Sequence, residues 1–158
     1  MVVTAFWYSN SMEQAFNKEI DFVSDDIAVS LHTSTYTPNQ DTHDYFNDLT
    51  NQLSTANGYT AEDGAGAGFS LAGKTLANTL NVVALDATDP AWTSSGAGFT
   101  ARIAVVSDVT PGTAATDPLL LWIDFGQNET ASGGGTFTIA LHATGLATVT
   151  AADATGFP

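Results

Sequence analysis

The chain has 158 residues, no cysteine, 17 Asp and Glu against 3 Lys and Arg, and a formal net charge of −14. That balance excludes a basic nucleic-acid binder: Lys18, Lys74 and Arg102 are the whole cationic inventory, and phosphate contacts need such groups. The missing cysteine excludes thiol chemistry, disulfide frameworks and cysteine-based zinc sites, and 44% hydrophobic residues with only 13% charged argue against disorder.

Length points to a single domain over 1–158. A chain of this size buries roughly two thirds of its unfolded surface, so it needs no staple to hold a core. The opening MVVTAFWYSNSMEQAF has no basic region and no long apolar run, which makes it a poor signal peptide. The most apolar later stretch, 118–125, is far shorter than the ~20 residues that span a bilayer. An acidic surface is also repelled by anionic head groups, so no membrane partner is expected.

In chain order, residues 1–11 read as an N-terminal arm available for assembly contacts. Phe6, Trp7 and Tyr8 are its aromatic anchors into a partner surface, because buried aromatics dominate interface energetics. Packing of the same cluster on the domain's own core is the alternative. Ser9, Asn10 or Ser11 is placed to cap a short helix over 12–18, with Met12, Ala15 and Phe16 on one face. The period then changes to two. Ile27, Val29 and Leu31 alternate with Ala28, Ser30 and His32 in a half-buried strand. A polar loop follows, with a short helical turn within 42–49, then a Gly-rich exposed loop over 54–68 around a weak strand at 59–61.

Further strands are predicted at 70–76, 79–86, 99–107, 119–125, 136–142 and 146–150. In the fourth of these, Leu119, Leu121, Ile123 and Phe125 share one side. Trp92 and Trp122 read as core or sheet-face residues. With short strands punctuated by Gly, Pro, Asn and Asp, the fold class is mainly β. It is an antiparallel β-sandwich or barrel-like domain of about seven strands with one short N-terminal helix. The abundant threonine suits a pleated, half-wet face.

Chemistry is sparse. Asp41-Thr42-His43-Asp44 lacks the three or four converging ligands of a metal centre and reads as a solvated turn. His32 and His142 read as polar edge residues. Asp25-Asp26 and Glu62-Asp63 read as solvated acid pairs, with calcium the alternative they leave open. The Gly-Ala-Gly-Ala-Gly run at 64–68 is not a phosphate loop, since no Lys-Ser/Thr follows it. No G-x-S-x-G elbow and no nucleophile-base-acid set is visible, so no catalytic residue, no metal and no cofactor is assigned, and an enzyme is not expected.

The run FNKEIDFVSDDIAVSLHTSTYTPNQDTHDYFNDLTNQL, residues 16–53, resembles a family of small structural proteins of tailed bacteriophages. FTARIAVV from Phe99, PLLLWIDFG from Pro118 and GTFTIALHATGLATVT from Gly135 are similar in the same order. The resemblance implies a virion component, of the capsid decoration (cement), head-fibre or minor tail kind, and brings no catalytic residues with it. Electrostatics favours the outer capsid surface, because a subunit of charge −14 facing packaged DNA is repelled. The partners expected on this reading are the major capsid protein and further copies of the chain in a homotrimer, with no nucleic acid. Screening makes such clustering tolerable where apolar contacts supply the attraction. The alternative is a tail- or fibre-associated receptor- or glycan-binding module, with Tyr36, Tyr45 and Tyr59 as exposed stacking residues.

Overall fold

The structure, a computed structural model, describes residues 4–151. Residues 1–3 of the expected arm and 152–158 of the expected domain lie outside the described residues. The described chain is mainly β, with one short helix, as the alternating pattern predicts. Ten strands are present among the described residues, in three antiparallel sheets.

The largest sheet has five strands in the order β1-β8-β7-β2-β3: β1 (Thr4–Trp7), β2 (Ile27–His32), β3 (Phe69–Ser70), β7 (Phe99–Asp108) and β8 (Leu119–Ala131). The second has the order β10-β5-β4, from β4 (Thr75–Thr79), β5 (Val82–Asp86) and β10 (Ala147–Thr150). The third pairs β6 (Ala91–Thr93) with β9 (Thr136–Thr138). Side chains of both small sheets, Leu85, Trp92 and Phe137, meet Val29, Leu31, Leu121 and Ile123 of the large sheet in one core. The two small sheets therefore form the second layer of a β-sandwich-like domain.

Several expectations change in detail. The stretch read as a free arm is partly an edge strand: Thr4, Ala5, Phe6 and Trp7 pair with Asp124, Ile123, Trp122 and Leu121. The helix, α1, spans Asn10–Phe16 and not 12–18. It stops early because Lys18 takes a left-handed φ of 62°, and the amides of Lys18 and Glu19 fold back on the carbonyls of Ala15 and Gln14. Ser9 occupies the N-cap position, yet its side chain makes no capping bond. The helical turn expected within 42–49 is a single 3-10 turn, Phe46–Asp48. No strand forms at 59–61; Tyr59 is instead buried in the main core.

Strand β2 is buried along its whole length, not half-buried. Its second face, with Ser30 and His32, lies under the 33–53 segment. There Tyr36 and Phe46 join Tyr8, Ile103, Val105, Leu119 and Trp122 in a second cluster. The side assignment of β8 also changes. Leu121, Ile123 and Phe125 enter the main core, but Leu119 enters the second cluster. Ala101 and Ile103 are likewise divided between the two. The β7–β8 register shifts between Ala101 and Ile103 and between Val106 and Ser107, and such an irregularity turns a strand's alternation over.

The predicted 70–76 and 79–86 strands are really β3 followed by a hairpin, β4–β5, closed by Leu80 and Asn81. Strand β6 was not anticipated, and β9 ends at Thr138 where 142 was expected. Trp92 and Trp122 are core residues, as read from the sequence.

Candidate interaction surface

The residues of the three-stranded sheet carry almost no charge. From Thr75 to Leu85 the sequence is TLANTLNVVAL, and β10 is ATVT; neither contains Asp, Glu, Lys or Arg. Charge enters the sheet only at its end, with Asp86 on β5. The register places Leu76, Leu85 and Ala147 in one cross-strand row, and Asn78, Val83 and Val149 in a row two residues on. Alternation puts both rows on one face.

That face lines an open groove of about 590 Å³, with α1 opposite. The helix turns its Met12-Ala15-Phe16 stripe toward the groove; its buried residues are Ser11, which also borders the groove, and Gln14, which does not. The stripe expected from helical spacing is therefore real, but it is not the face that packs on the sheet. Phe16 is 86% exposed and Leu76 54%. Exposed apolar side chains that sit together, within an acidic surface, mark a contact site more readily than isolated ones. Leu80, at the hairpin tip, is 93% exposed and holds a left-handed φ of 57°, a conformation that favours glycine.

The three N-terminal aromatics divide. Phe6 is partly exposed and stacks on Trp122, ring centroids 5.0 Å apart. Trp7 is half-buried and lines the groove, and with Phe6 it also borders a smaller cleft of about 410 Å³ that reaches His142. Tyr8 is fully buried. Its backbone N–H donates to Leu120 O at 3.0 Å, and its hydroxyl shares a 2.9 Å hydrogen bond with that of Tyr36. Burial pushes both tyrosine hydroxyls well up, so they stay protonated. The Tyr36 hydroxyl in turn meets His43 Nδ1 at 3.0 Å. Thus Phe6 and Trp7 stand at the surface, while Tyr8 is an interior strut.

Of the three tyrosines expected to be exposed, Tyr36 and Tyr59 are buried and only Tyr45 is partly accessible. Tyr59 is held inside because its hydroxyl accepts the Leu31 N–H at 2.9 Å and a bond from Gln52.

Two of the acidic and histidine features, His32 and Glu62, are buried and hydrogen-bonded within the fold. His32 is not an edge residue but is fully buried: Nδ1 bonds Thr50 O at 2.8 Å and Nε2 bonds Ser30 Oγ at 2.9 Å. A carbonyl only accepts, so Nδ1 carries the proton and Nε2 accepts from the serine. Burial lowers its pKa to about 4, against the opposing Thr50 bond.

Glu62 is also buried, not solvated, and the Gly-rich loop wraps its carboxylate. Oε1 accepts the N–H groups of Asp63, Gly64 and Gly66, and Oε2 accepts that of Gly68. The 64–68 run is thus an anion nest, filled by the chain's own side chain.

Asp25 and Asp108 approach each other across the start of β2. Asp108 is fully buried, and its pKa is raised to about 6, first by burial and further by the Asp25 carboxyl. Among the described residues no group of three or more His, Asp or Glu is placed to hold a metal ion. No described helix is long and apolar enough to cross a membrane.

Comparison with known proteins returns nothing: no family model, no curated protein and no solved structure matches the chain. The groove, whose lining includes Lys18 and Asp21 beside its apolar residues, was missed from the sequence. Charge spacing does not single it out: Thr75 to Leu85 is free of charge, but so are the longer runs 27–40 and 130–152.

Proposed function

We propose that this protein is a virion structural component, a capsid decoration (cement) subunit on the outer head surface that bridges and stabilises major capsid protein subunits. The observation that carries the reading is the open apolar groove between α1 and the neutral β10-β5-β4 face. A cement needs apolar contact area that is already formed before it meets the shell, and it stabilises the assembled shell by mass action, binding assembled subunits in preference to free ones. Phe16, Leu76 and Trp7 supply such area, and the phage-like runs of the sequence support the same reading. The −14 charge favours the outside of the head over the genome-facing side.

The test is to strip or delete this protein from the particles that carry it and then add the purified chain back. Heating the particles while following DNA release gives the readout. Addition of wild-type protein raises the release temperature, and Phe16→Asp combined with Leu76→Asp does not. Density or label for the chain on the tail alone, with none on the head, overturns the reading.

A further inference from the structure

We infer that a second copy of this chain pairs with the open edge of β4, in an antiparallel contact centred on Ala77. The inference uses a strand edge and not the groove, and it does not depend on the virion reading.

Among the described residues strand β4 ends its sheet, and all five of its residues are exposed. Natural edge strands are usually blunted by charge, proline or a bulge, because an open edge is a template for another strand. The TLANT of β4 has none of these: no charge, no proline, and an unbroken register from Thr75↔Asp86 to Thr79↔Val82.

The hydrogen-bonding pattern fixes which groups the edge offers. A two-residue connection, Leu80-Asn81, makes Thr79 and Val82 the bonded closing pair, and alternation makes Ala77–Ala84 and Thr75–Asp86 bonded pairs too. The far side of β5 agrees: Leu146 N–H donates to Leu85 O and Ala151 N–H to Asn81 O, both at 2.7 Å, so the odd-numbered residues of β5 serve β10. Leu76 and Asn78 therefore direct their N–H and C=O groups outward, away from β5.

A two-fold axis through Ala77 sets Leu76 opposite the partner's Asn78 and Asn78 opposite the partner's Leu76. Each such pair exchanges both of its bonds, so the edge satisfies itself. The result is a continuous six-stranded sheet with the Leu76 face of both copies on one side.

Charge selects the occupant. Two chains of −14 repel wherever acidic surfaces meet, and they approach at least cost through a neutral strand. A basic partner finds no carboxylate on this strand itself to pair with. The contact of one short strand is small beside the roughly 1,200–2,000 Å² of a stable interface, so the pairing is weak and concentration-dependent. It is a pairwise contact, and clustering at a threefold axis needs a second surface.

The experiment is sedimentation velocity of the full chain from micromolar to several hundred micromolar, at low and high NaCl. The expected result is a monomer–dimer equilibrium that tightens with salt, as screening shortens the reach of the repulsion. Asn78→Pro removes an outward N–H and no β4–β5 bond, and Ala77→Glu sets two like charges directly opposite each other. Each raises the dimer Kd at least tenfold while the monomer keeps its circular dichroism and thermal midpoint. A second readout guards against misfolded variants: in the wild type, amide exchange of Leu76 and Asn78 slows as concentration rises. A chain that stays monomeric throughout, or self-association of any order that is indifferent to both substitutions, would overturn the pairing.

Discussion

Glu62 and Gly68 lie six residues apart, and the carboxylate of the first accepts the backbone N–H of the second at 2.9 Å. The bond closes a ring around the Gly-rich loop, and it requires glycine at its far end. A Cβ at Gly68 would sit 2.7 Å from Glu62 Oε2 and 3.0 Å from the Glu62 Cα. Removing the carboxylate strands four buried or part-buried N–H donors at once. Glu62→Ala is therefore expected to destabilise the domain by at least about 3 kcal/mol, and Gly68→Ala by about 1–3 kcal/mol. Urea denaturation checks this: midpoints fall while the slope stays the same. Equal midpoints for wild type and Glu62→Ala would show that the nest contributes nothing.

His32 makes stability fall in mild acid. Its folded pKa is lowered to about 4, chiefly by burial, below the ordinary value near 6.5. The unfolded chain then binds the proton first. The neutral ring's contribution is fully present above pH 6.5 and is lost as pH falls through 4. The span corresponds to on the order of 3 kcal/mol. An NMR titration of the His32 ring in the folded protein should show a midpoint near 4, and a midpoint near 6.5 would remove the argument.

The Asp108–Asp25 contact works in the opposite direction. Asp108 Oδ1 accepts the Thr110 N–H, while Oδ2 has no N–H or O–H donor among the described residues and is buried close to the Asp25 carboxyl. Asp26 and Lys74 stand nearby, with Asp26 N–H on Thr110 Oγ1 and Lys74 Nζ on the Asp25 carbonyl. Because the folded pKa of Asp108 is raised to about 6, its neutral form is favoured by folding. That contribution is complete below about pH 3.9, the unfolded value, and is lost as pH rises through 6. Asp108→Asn keeps the acceptor for Thr110 and gives Asp25 a donor. It should raise the thermal midpoint at pH 7, and the gain should close by pH 4. A gain of equal size at both pH values would rule out the shared-acid account.

What was legible in the sequence follows from how local each feature is. Strands β2, β7 and β8 announce themselves by alternation, which a short window contains. Their faces were only half legible, because the irregularities near Arg102 and Ser107 depend on the partner strand. The β4–β5 hairpin was hidden because Leu80-Asn81 lacks the glycine that usually marks such a turn. The role of Glu62 was hidden for a different reason: no spacing rule links one carboxylate to amides that meet it only once the loop has closed. The Met12-Ala15-Phe16 stripe was read correctly as a stripe, but periodicity alone does not say whether a stripe is covered.

Gln14 shows the consequence of that reversed helix. It is 2% exposed, faces inward from α1, and neither its Oε1 nor its Nε2 has a hydrogen-bond partner among the described residues. Its neighbour on the buried face, Ser11, avoids the same penalty by donating to Tyr8 O at 2.7 Å. A buried amide without partners costs its desolvation in full, whereas an apolar side chain of similar length loses nothing by burial and has better helix propensity than most alternatives. Gln14→Met should therefore stabilise the protein by about 1–2 kcal/mol. At this chain length that amounts to a rise of roughly 2–8 °C in the thermal midpoint. Ser11→Ala, which strands no donor but removes the bond to the Tyr8 carbonyl, should move it the other way. A Gln14→Met variant that melts below wild type would mean that the amide is satisfied in solution, and that α1 buries its polar side for a reason other than sheet packing.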